Sequence, residues 1–394
     1  MTVTQIPQRA ELVRRAADLV PLLREYAPKG EKLRRLPDET VAALDDLGVC
    51  RMRMPARYGG FECDARTMTE VSIHIGRGDA SAAFTVAVWW ITSWIIGLFP
   101  DETQDEVFAD PRTRVCGTLA PTGTAVRAKG GGIVVNGRWA FNSGAQHSQW
   151  KVMSGVLTDA ENGPEPFMAV VPVADMINLD DWYVSGLESS GSVTLVAEDL
   201  YVPANRWIPI APLLTENYPT KKNAGVPVFR TPMIPAASAS TVGKIVGIMK
   251  GAQEAFFERV PGRGITYTGY LDQRDAPLTH LQVAKAALKT DEAEYHAFRL
   301  ADMVDRKNLA GEPWTMEERA YARVAMGRCC QLAKDAIDVL NTASGGSSVF
   351  RAVPIQRWER DIEVICLHAL NHPDTNTELY GRILCGLESD SPYI

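Results

Sequence analysis

A chain of 394 residues is longer than one ordinary hydrophobic core serves, so two or three packed domains, or one domain with large helical layers, are expected. Hydrophobic residues make up 46% and charged residues 23%, an ordinary globular composition. A net charge of −7 with no long basic run gives no reason to expect nucleic acid or an anionic membrane as a partner.

Met1 to Pro7 has no apolar core of the kind an export signal needs, and no uncharged apolar stretch reaches the ~18 residues of a membrane span. The most apolar window, Ala80 to Phe99, stops at Pro100 and contains Thr85, Thr92 and Ser93, so it reads as a buried helix. The seven cysteines are odd in number and scattered, with no CxxC pair, which points to neither a disulfide framework nor a zinc site. A soluble cytoplasmic enzyme is the expectation.

Residues from Ala10 to about Pro111 read as helices. Pro37-Asp38 is a helix start, Val41, Leu44 and Leu47 keep helical spacing, and Gly48 is a stop. Pro55-Ala-Arg-Tyr-Gly-Gly60 is a turn cluster. From Arg114 the pattern changes to short β-branched runs bounded by Gly, Pro or Asp, among them Ile133–Val135, Lys151–Met153, Met168–Val171 and Val193–Val196. Their spacing predicts an antiparallel barrel or sandwich ending near Pro212, followed by an exposed linker or loop over 213–231. Helical windows then return at Ala236–Val260, Pro277–Leu300, Met316–Leu340 and Gln356–Leu370. The expected architecture is α+β in three parts: a helical domain over 1–112, a β-barrel over 113–228 and a helical bundle over 229–394.

That order, with its punctuation, resembles the acyl-CoA dehydrogenase superfamily over essentially the whole chain. Leu47-Gly48 with Pro55…Tyr58-Gly-Gly60, then Gly186-Leu187 with Ser189–Ser192 and Tyr201-Val-Pro203, then Pro277-Leu278 with Leu281-Gln282, are similar to its motifs. Within the superfamily the match is closer to the flavin monooxygenases, a branch that includes 4-hydroxyphenylacetate hydroxylase, secosteroid and polyketide hydroxylases and amino-sugar N-oxygenases. Gly137-Arg-Trp-Ala-Phe-Asn-Ser-Gly144 with His147 and Trp150, Arg357-Trp-Glu-Arg-Asp361 with His368, and Tyr380-Gly-Arg382 carry it. The resemblance implies an acyl-CoA dehydrogenase-like fold with a helical N-terminal domain, a central β-barrel and a C-terminal four-helix bundle, assembled as a homotetramer.

Chemistry separates the two branches. A dehydrogenase needs a carboxylate base to take an α-proton from a thioester. The position eight residues after Asp361, where the common dehydrogenases carry Glu, is Ala369, and the stretch Pro232–Met249 has no Asp or Glu. An oxygenase needs instead a dry pocket with hydrogen-bond donors that keeps a flavin C4a-hydroperoxide alive. By resemblance Ser143 meets flavin N5, Trp139 packs on the isoalloxazine edge and Phe141 lies beside it. His368 stands by the peroxide and substrate, as a base or as a donor; an unperturbed pKa of ~6.5 suits both. Arg263 and the Gly345-Gly346-Ser347 loop match positions that meet a flavin phosphate, often across a subunit boundary, the loop being rich in N–H groups. One of Trp89, Trp90 and Trp94 is expected to face substrate, with His147 and Trp150 flanking the flavin pocket or holding the barrel. Each has a plainer reading. Trp139 and Phe141 alternate as core strand residues do, Ser143-Gly144 is a common turn, the tryptophans have core spacing, and a lone late-helix histidine is usually structural. His368 and His372 share a helical spacing, but Pro373 follows and no carboxylate or cysteine completes a metal site, so no metal is expected.

Two residues depart from the aromatic hydroxylases: Glu188 stands where many carry Arg, and Gln146 where an Asp often precedes the His147 equivalent. No GxGxxG follows a strand, so a separate NAD(P)H-dependent reductase is expected to deliver reduced FAD or FMN. Hydroxylation of an aromatic or other electron-rich small molecule with O₂ is the leading expectation. N-oxygenation of an amine or amino sugar comes second, and acyl-CoA dehydrogenation is more remote.

Overall fold

The computed structural model describes residues 7–394; Met1–Ile6, read above for an export signal, lies outside the described residues. Six helices come first: α1 (Arg9–Asp18), α2 (Val20–Leu33), α3 (Asp38–Leu47), α4 (Ala65–Gly78), α5 (Ala80–Ile96) and α6 (Asp101–Val107). Their ends follow local chemistry. Gly48 closes α3 at φ 86°, Asp64 caps α4 by accepting the Thr67 N–H, and Asp79 caps α5 by accepting that of Ser81. Helix α5 is the apolar window of the sequence, and nearly every side chain on it is buried. Among the described residues no helix is long and apolar enough to cross a membrane.

Eight strands follow: β1 (Val115–Gly117), β2 (Gly123–Arg127), β3 (Ile133–Asn142), β4 (Trp150–Leu157), β5 (Glu165–Pro172), β6 (Ile177–Asn178), β7 (Val193–Val202) and β8 (Trp207–Pro209). They form one sheet in the order β6-β7-β3-β2-β4-β5-β8, with β1 also on β4. The sheet is mainly antiparallel, as the expected antiparallel barrel or sandwich requires, except that β1 and β2 both run parallel to β4; the path of pairings ends on β6 and β8. The period-2 alternation of β5 explains the burial. Phe167, Ala169 and Val171 point into a core with Trp139 and Leu195, while Met168 and Val170 pack with Trp94, Phe99 and Phe108 of the helical layer. Both faces are covered.

Segment 213–231 is no exposed linker. After the short α7 (Ala211–Leu214), Asn223, Phe229 and Thr231 are buried, and the Val228 carbonyl accepts the indole N–H of Trp94. Helices α8 (Met233–Phe257), α9 (Pro277–Ala310), α10 (Met316–Ala343) and α11 (Ile355–Cys366) share one apolar core, and α12 (Pro373–Leu384) lies against α10. Helix α10 opens on a capping box between Thr315 and Glu318. Glycines let α8 and α4 touch backbone to backbone, since a Cβ on Gly243 or Gly247 would fall within 2.3 Å of a carbonyl oxygen of α4. That contact joins the N-terminal and C-terminal helices.

A buried charge network joins all three parts. Arg360 pairs with Glu31 of α2 at 2.5 Å and with Glu188 of the β region at 2.9 Å, and the Asp361 carboxylate accepts the Leu187 N–H at 2.6 Å. Glu188, the departure noted in the sequence, therefore has a structural partner; an arginine there would face Arg360. Burial first, then the nearby Asp79 charge, push Asp361 up to about 7, and burial pushes Asp79 up to about 6. A carboxyl raised above its unfolded value of ~3.9 keeps its proton in the fold where the unfolded chain has lost it, so its contribution weakens as pH rises from about 4 through about 7. Replacing Asp361 by Asn removes this titration. The melting-temperature difference, variant minus parent, should grow from pH 5 to pH 8; a shrinking difference would mean that Arg357 and Arg360 hold Asp361 ionised.

Candidate active site

The site begins at the end of β3. Residues i and i+2 of a strand share a face, which would put the Trp139 and Phe141 rings on one side. A register irregularity between Trp139 and Asn142, with Phe141 at φ 64°, separates them. Trp139 is buried inside the sheet against Gly123 and Gly137 and donates its indole N–H to the Ser154 carbonyl at 2.8 Å. It is a core residue rather than the expected flavin-edge contact. Phe141 turns outward, 70% exposed, with its ring edge-on to Trp182 at 6.1 Å.

The turn that follows is held from several sides. The Asn142 amide donates to the Trp139 and Val193 carbonyls, and its carbonyl oxygen accepts the buried Lys151 ammonium. Burial pushes Lys151 down to about 8. Gly144, at φ 68°, donates its N–H to the Ser190 carbonyl, and a Cβ there would meet the indole nitrogen of Trp89 at 2.7 Å. Trp89 in turn donates to Ser148 Oγ, which donates to the Gly144 carbonyl. Trp90 donates to the Val49 carbonyl and Trp94 to that of Val228, all three rings being buried. The expectation that one of them faces substrate is thus corrected: the core takes the large rings, and the positions of α5 that keep partial exposure are Val88 and Ile91. Of the two expectations for His147, its geometry favours the structural one, for its Nε2 meets the Leu36 carbonyl at 2.9 Å and ties the sheet to the N-terminal helices. Burial and the Arg35 charge lower its pKa.

Ser143, Ser192 and Ser190 form a buried hydroxyl chain with Oγ–Oγ distances of 2.8 and 2.7 Å. Three hydroxyls carry three protons and the chain uses two, so the third can be presented outward from Ser143 when the bonds run from Ser190 to Ser192 to Ser143.

His368 was expected on a helix. Instead α11 ends at Cys366 and His368 sits in the turn before α12, because Pro373 cannot continue a helix and His372 is the N-cap. Its ring keeps solvent access, yet desolvation by surrounding protein is the main cause that pushes its pKa down to about 4, with Lys244 adding to it. Nδ1 accepts the Leu370 N–H at 3.2 Å, which leaves the proton on Nε2 as a donor. Phe84 of α5 lies edge-on at 5.9 Å.

A second cluster stands on the C-terminal helices. Arg263 donates to the Ser344 carbonyl and to Ser347 Oγ, and Arg259 also reaches Ser347, at 3.3 Å. Arg263 is lowered by burial and then by the Arg259 charge. Arg259 Nη1 is buried with no hydrogen-bond partner among the described residues. Two adjacent guanidiniums beside Gly345-Gly346-Ser347, one with a buried unpaired N–H, suit an anion such as a phosphate. Arg259, Lys151 and Lys244 escaped the sequence reading; nothing in spacing distinguishes a buried cation from a surface one.

Comparison with known proteins gives the kinship of the chain. The acyl-CoA dehydrogenase N-terminal domain model matches residues 9–112 and the C-terminal domain model residues 239–373. The oxygenase subunit HsaA of a flavin-dependent monooxygenase from Mycobacterium tuberculosis is 32% identical over 392 residues, spanning 98% of both chains. The chain belongs to the flavin-dependent monooxygenases of the acyl-CoA dehydrogenase fold. The oxygenase component of an FADH2-dependent resorcinol hydroxylase from a Rhizobium species is 28% identical, spanning 99% of this chain and 97% of the relative. The structure of XiaF from a Streptomyces species, in complex with FADH2 and glycerol, superposes with a TM-score of 0.91 at 30% identity over 98% of each chain.

The protein is the oxygenase component of a two-component system and uses a reduced flavin. The flavin, when bound, supplies the activated oxygen; the residues fit it, with a hydroxyl donor at Ser143, an exposed aromatic at Phe141 and an anion cradle at Arg259 and Arg263. His368 is neutral above about pH 4 and holds its donor proton throughout the neutral range. Its NMR signals should therefore show no titration from about pH 6 to 8; a midpoint inside that window would contradict the buried setting. Gly144→Ala forces a side chain into a left-handed turn and against Trp89, and should cost about 1–3 kcal/mol in chemical denaturation.

Proposed function

We propose that this oxygenase hydroxylates an aromatic small molecule, using FADH2 or FMNH2 delivered by a separate NAD(P)H-dependent reductase. The observation that carries the reading is a hydroxyl donor at Ser143 and a neutral His368 flanking α5, whose Phe84 meets the His368 ring and whose Thr85 and Trp89 abut Gly144, with Ala369 at the dehydrogenase base position and no carboxylate on α8 from Met233 to Gln253. Ser143 would hydrogen-bond flavin N5, Phe141 would pack beside the ring system, and His368 would donate Nε2–H to oxygen near the reacting carbon. Arg263, with Arg259, Gly345, Gly346 and Ser347, takes the flavin phosphate. The resorcinol hydroxylase supports a phenolic ring as the acceptor. Seven free thiols, six of them buried, suit a reducing cytoplasm.

The two site clusters lie on different parts of the chain, and a homotetramer would let one subunit's loop complete another's pocket. Leu281, Leu288 and Tyr295 repeat every seven residues along α9 and each is more than half exposed; Val349 and Phe350, next to the phosphate loop, are exposed as well. An apolar stripe of this kind suits a helix-to-helix contact between copies.

Three outcomes are expected. Mixing the protein, reduced flavin and O₂ in a stopped-flow gives a long-lived absorbance transient, and Ser143→Ala shortens its lifetime about tenfold, the scale of one buried hydrogen bond lost; an unchanged lifetime removes Ser143 from the chemistry. His368→Ala lowers product yield per flavin oxidised, and an unaltered yield returns this histidine to a structural role. Leu288→Glu shifts the light-scattering mass from that of a tetramer toward smaller species; a mass equal to the parent's places the subunit contact elsewhere.

A further inference from the structure

Most charged groups on α8 and its neighbours have opposite partners; Lys250, for example, pairs with Glu294 at 2.7 Å. Lys244 does not. Its side chain is buried, and its one hydrogen bond among the described residues goes to the Thr241 carbonyl at 3.1 Å. The Nζ atom stands 5.6 Å from the centre of the Phe84 ring, the same ring that meets His368 edge-on. Burial pushes it down to about 8, so it still carries its charge at neutral pH. The titratable groups that act on it are the Cys330 thiol of α10 and, across Phe84, His368; no carboxylate joins them. One turn before it, Thr241 keeps partial exposure, as do Val88 and Ile91 on the facing side of α5. A buried ammonium with two unused N–H bonds, next to the ring that His368 meets, is costly to hold without an anion.

We propose that Lys244 is a specificity-determining residue that binds the substrate's phenolic oxygen in its ionised form. The inference rests on aromatic hydroxylation as the reaction. On binding, the phenol O–H bond breaks heterolytically, its electron pair stays on oxygen, and the proton leaves to water, since Lys244 arrives charged. The resulting phenolate and ammonium form a charge-assisted hydrogen bond. A phenolate is a more electron-rich ring than its phenol, which favours attack by that ring on an electrophilic oxygen. Neutral His368, with Nε2–H as donor, is free to serve the oxygen being transferred.

The test uses the flavin-free protein, so it fails or succeeds independently of the oxygenase reaction. The probe is 4-nitrophenol, whose phenolate is yellow, with its methyl ether 4-nitroanisole as the control that cannot ionise. At a pH below the probe's own ionisation in water, the parent protein should bind 4-nitrophenol as the yellow anion, and about ten- to a hundredfold more tightly than 4-nitroanisole. Lys244→Met keeps length and apolar bulk; it should bind the two ligands equally and leave 4-nitrophenol colourless. Equal affinity for the two ligands in the parent protein, colourless binding or no binding of 4-nitrophenol overturns the proposal without recourse to any variant. So does a yellow complex of unchanged affinity in a folded Lys244→Met. Colourless binding by the parent protein alongside an intact stopped-flow transient would mean that the flavin reaction stands and only the phenolate site is wrong.

Discussion

Everything at the catalytic end of this molecule hangs on four residues of backbone, Phe141 to Gly144, where a β-strand turns over against a buried tryptophan. Two of the four adopt left-handed conformations, one of them at a phenylalanine, a geometry that survives only because its surroundings over-determine it. The Asn142 amide, the Lys151 ammonium, the Ser190 carbonyl and the Trp89–Ser148 pair each hold one atom of the turn. The strain delivers two things together: Phe141 faces outward while Trp139 stays in the core, and the Ser143 hydroxyl is aimed from a rigid base. A hydroxyl that must meet one flavin atom gains from being immobilised beforehand.

Electrostatics divides the molecule in the same way. Between the three parts of the chain, charges are paired: Arg360 with Glu31 and Glu188, Arg24 with Glu254, Arg114 with Asp45. At the proposed cofactor and substrate positions, the cations Arg259, Arg263 and Lys244 have hydroxyl or carbonyl partners, and form no ion pair among the described residues. Burying a cation without a counter-ion is unfavourable, so such positions mark places that an anion completes. The dehydrogenase and oxygenase chemistries of this fold part here, since a carboxylate base suits proton removal and an unpaired cation suits an anionic guest.

Much of this was legible early. Helix starts and stops at Pro37-Asp38, Gly48 and Pro277 are local chemistry, and the absence of an acidic residue from the dehydrogenase positions is plain from the order of residues. What failed did so for tertiary reasons. Trp89, Trp90 and Trp94 looked like a substrate wall because an aromatic-rich helix has no face marked on it, and each indole N–H found a partner far along the chain. The 213–231 stretch looked like a linker because its proline and lysine content is that of a loop, yet Asn223 and Phe229 dock against α5 and α6. The sheet's two parallel pairings are equally invisible to alternation, which reports faces and not neighbours.

The order of residues by itself determined the α–β–α succession, the helix boundaries, the flavin-oxygenase kinship and the presence of Ser143 and His368, because these depend on short-range periodicity and motif. Only the tertiary structure decided that Trp139 turns inward and Phe141 outward, that His147 serves the N-terminal helices, and that Lys244 and the Nη1 atom of Arg259 stand buried without anionic partners. Burial and pairing are properties of residues far apart in the chain, and no local pattern encodes which of 41 cations will lose its water.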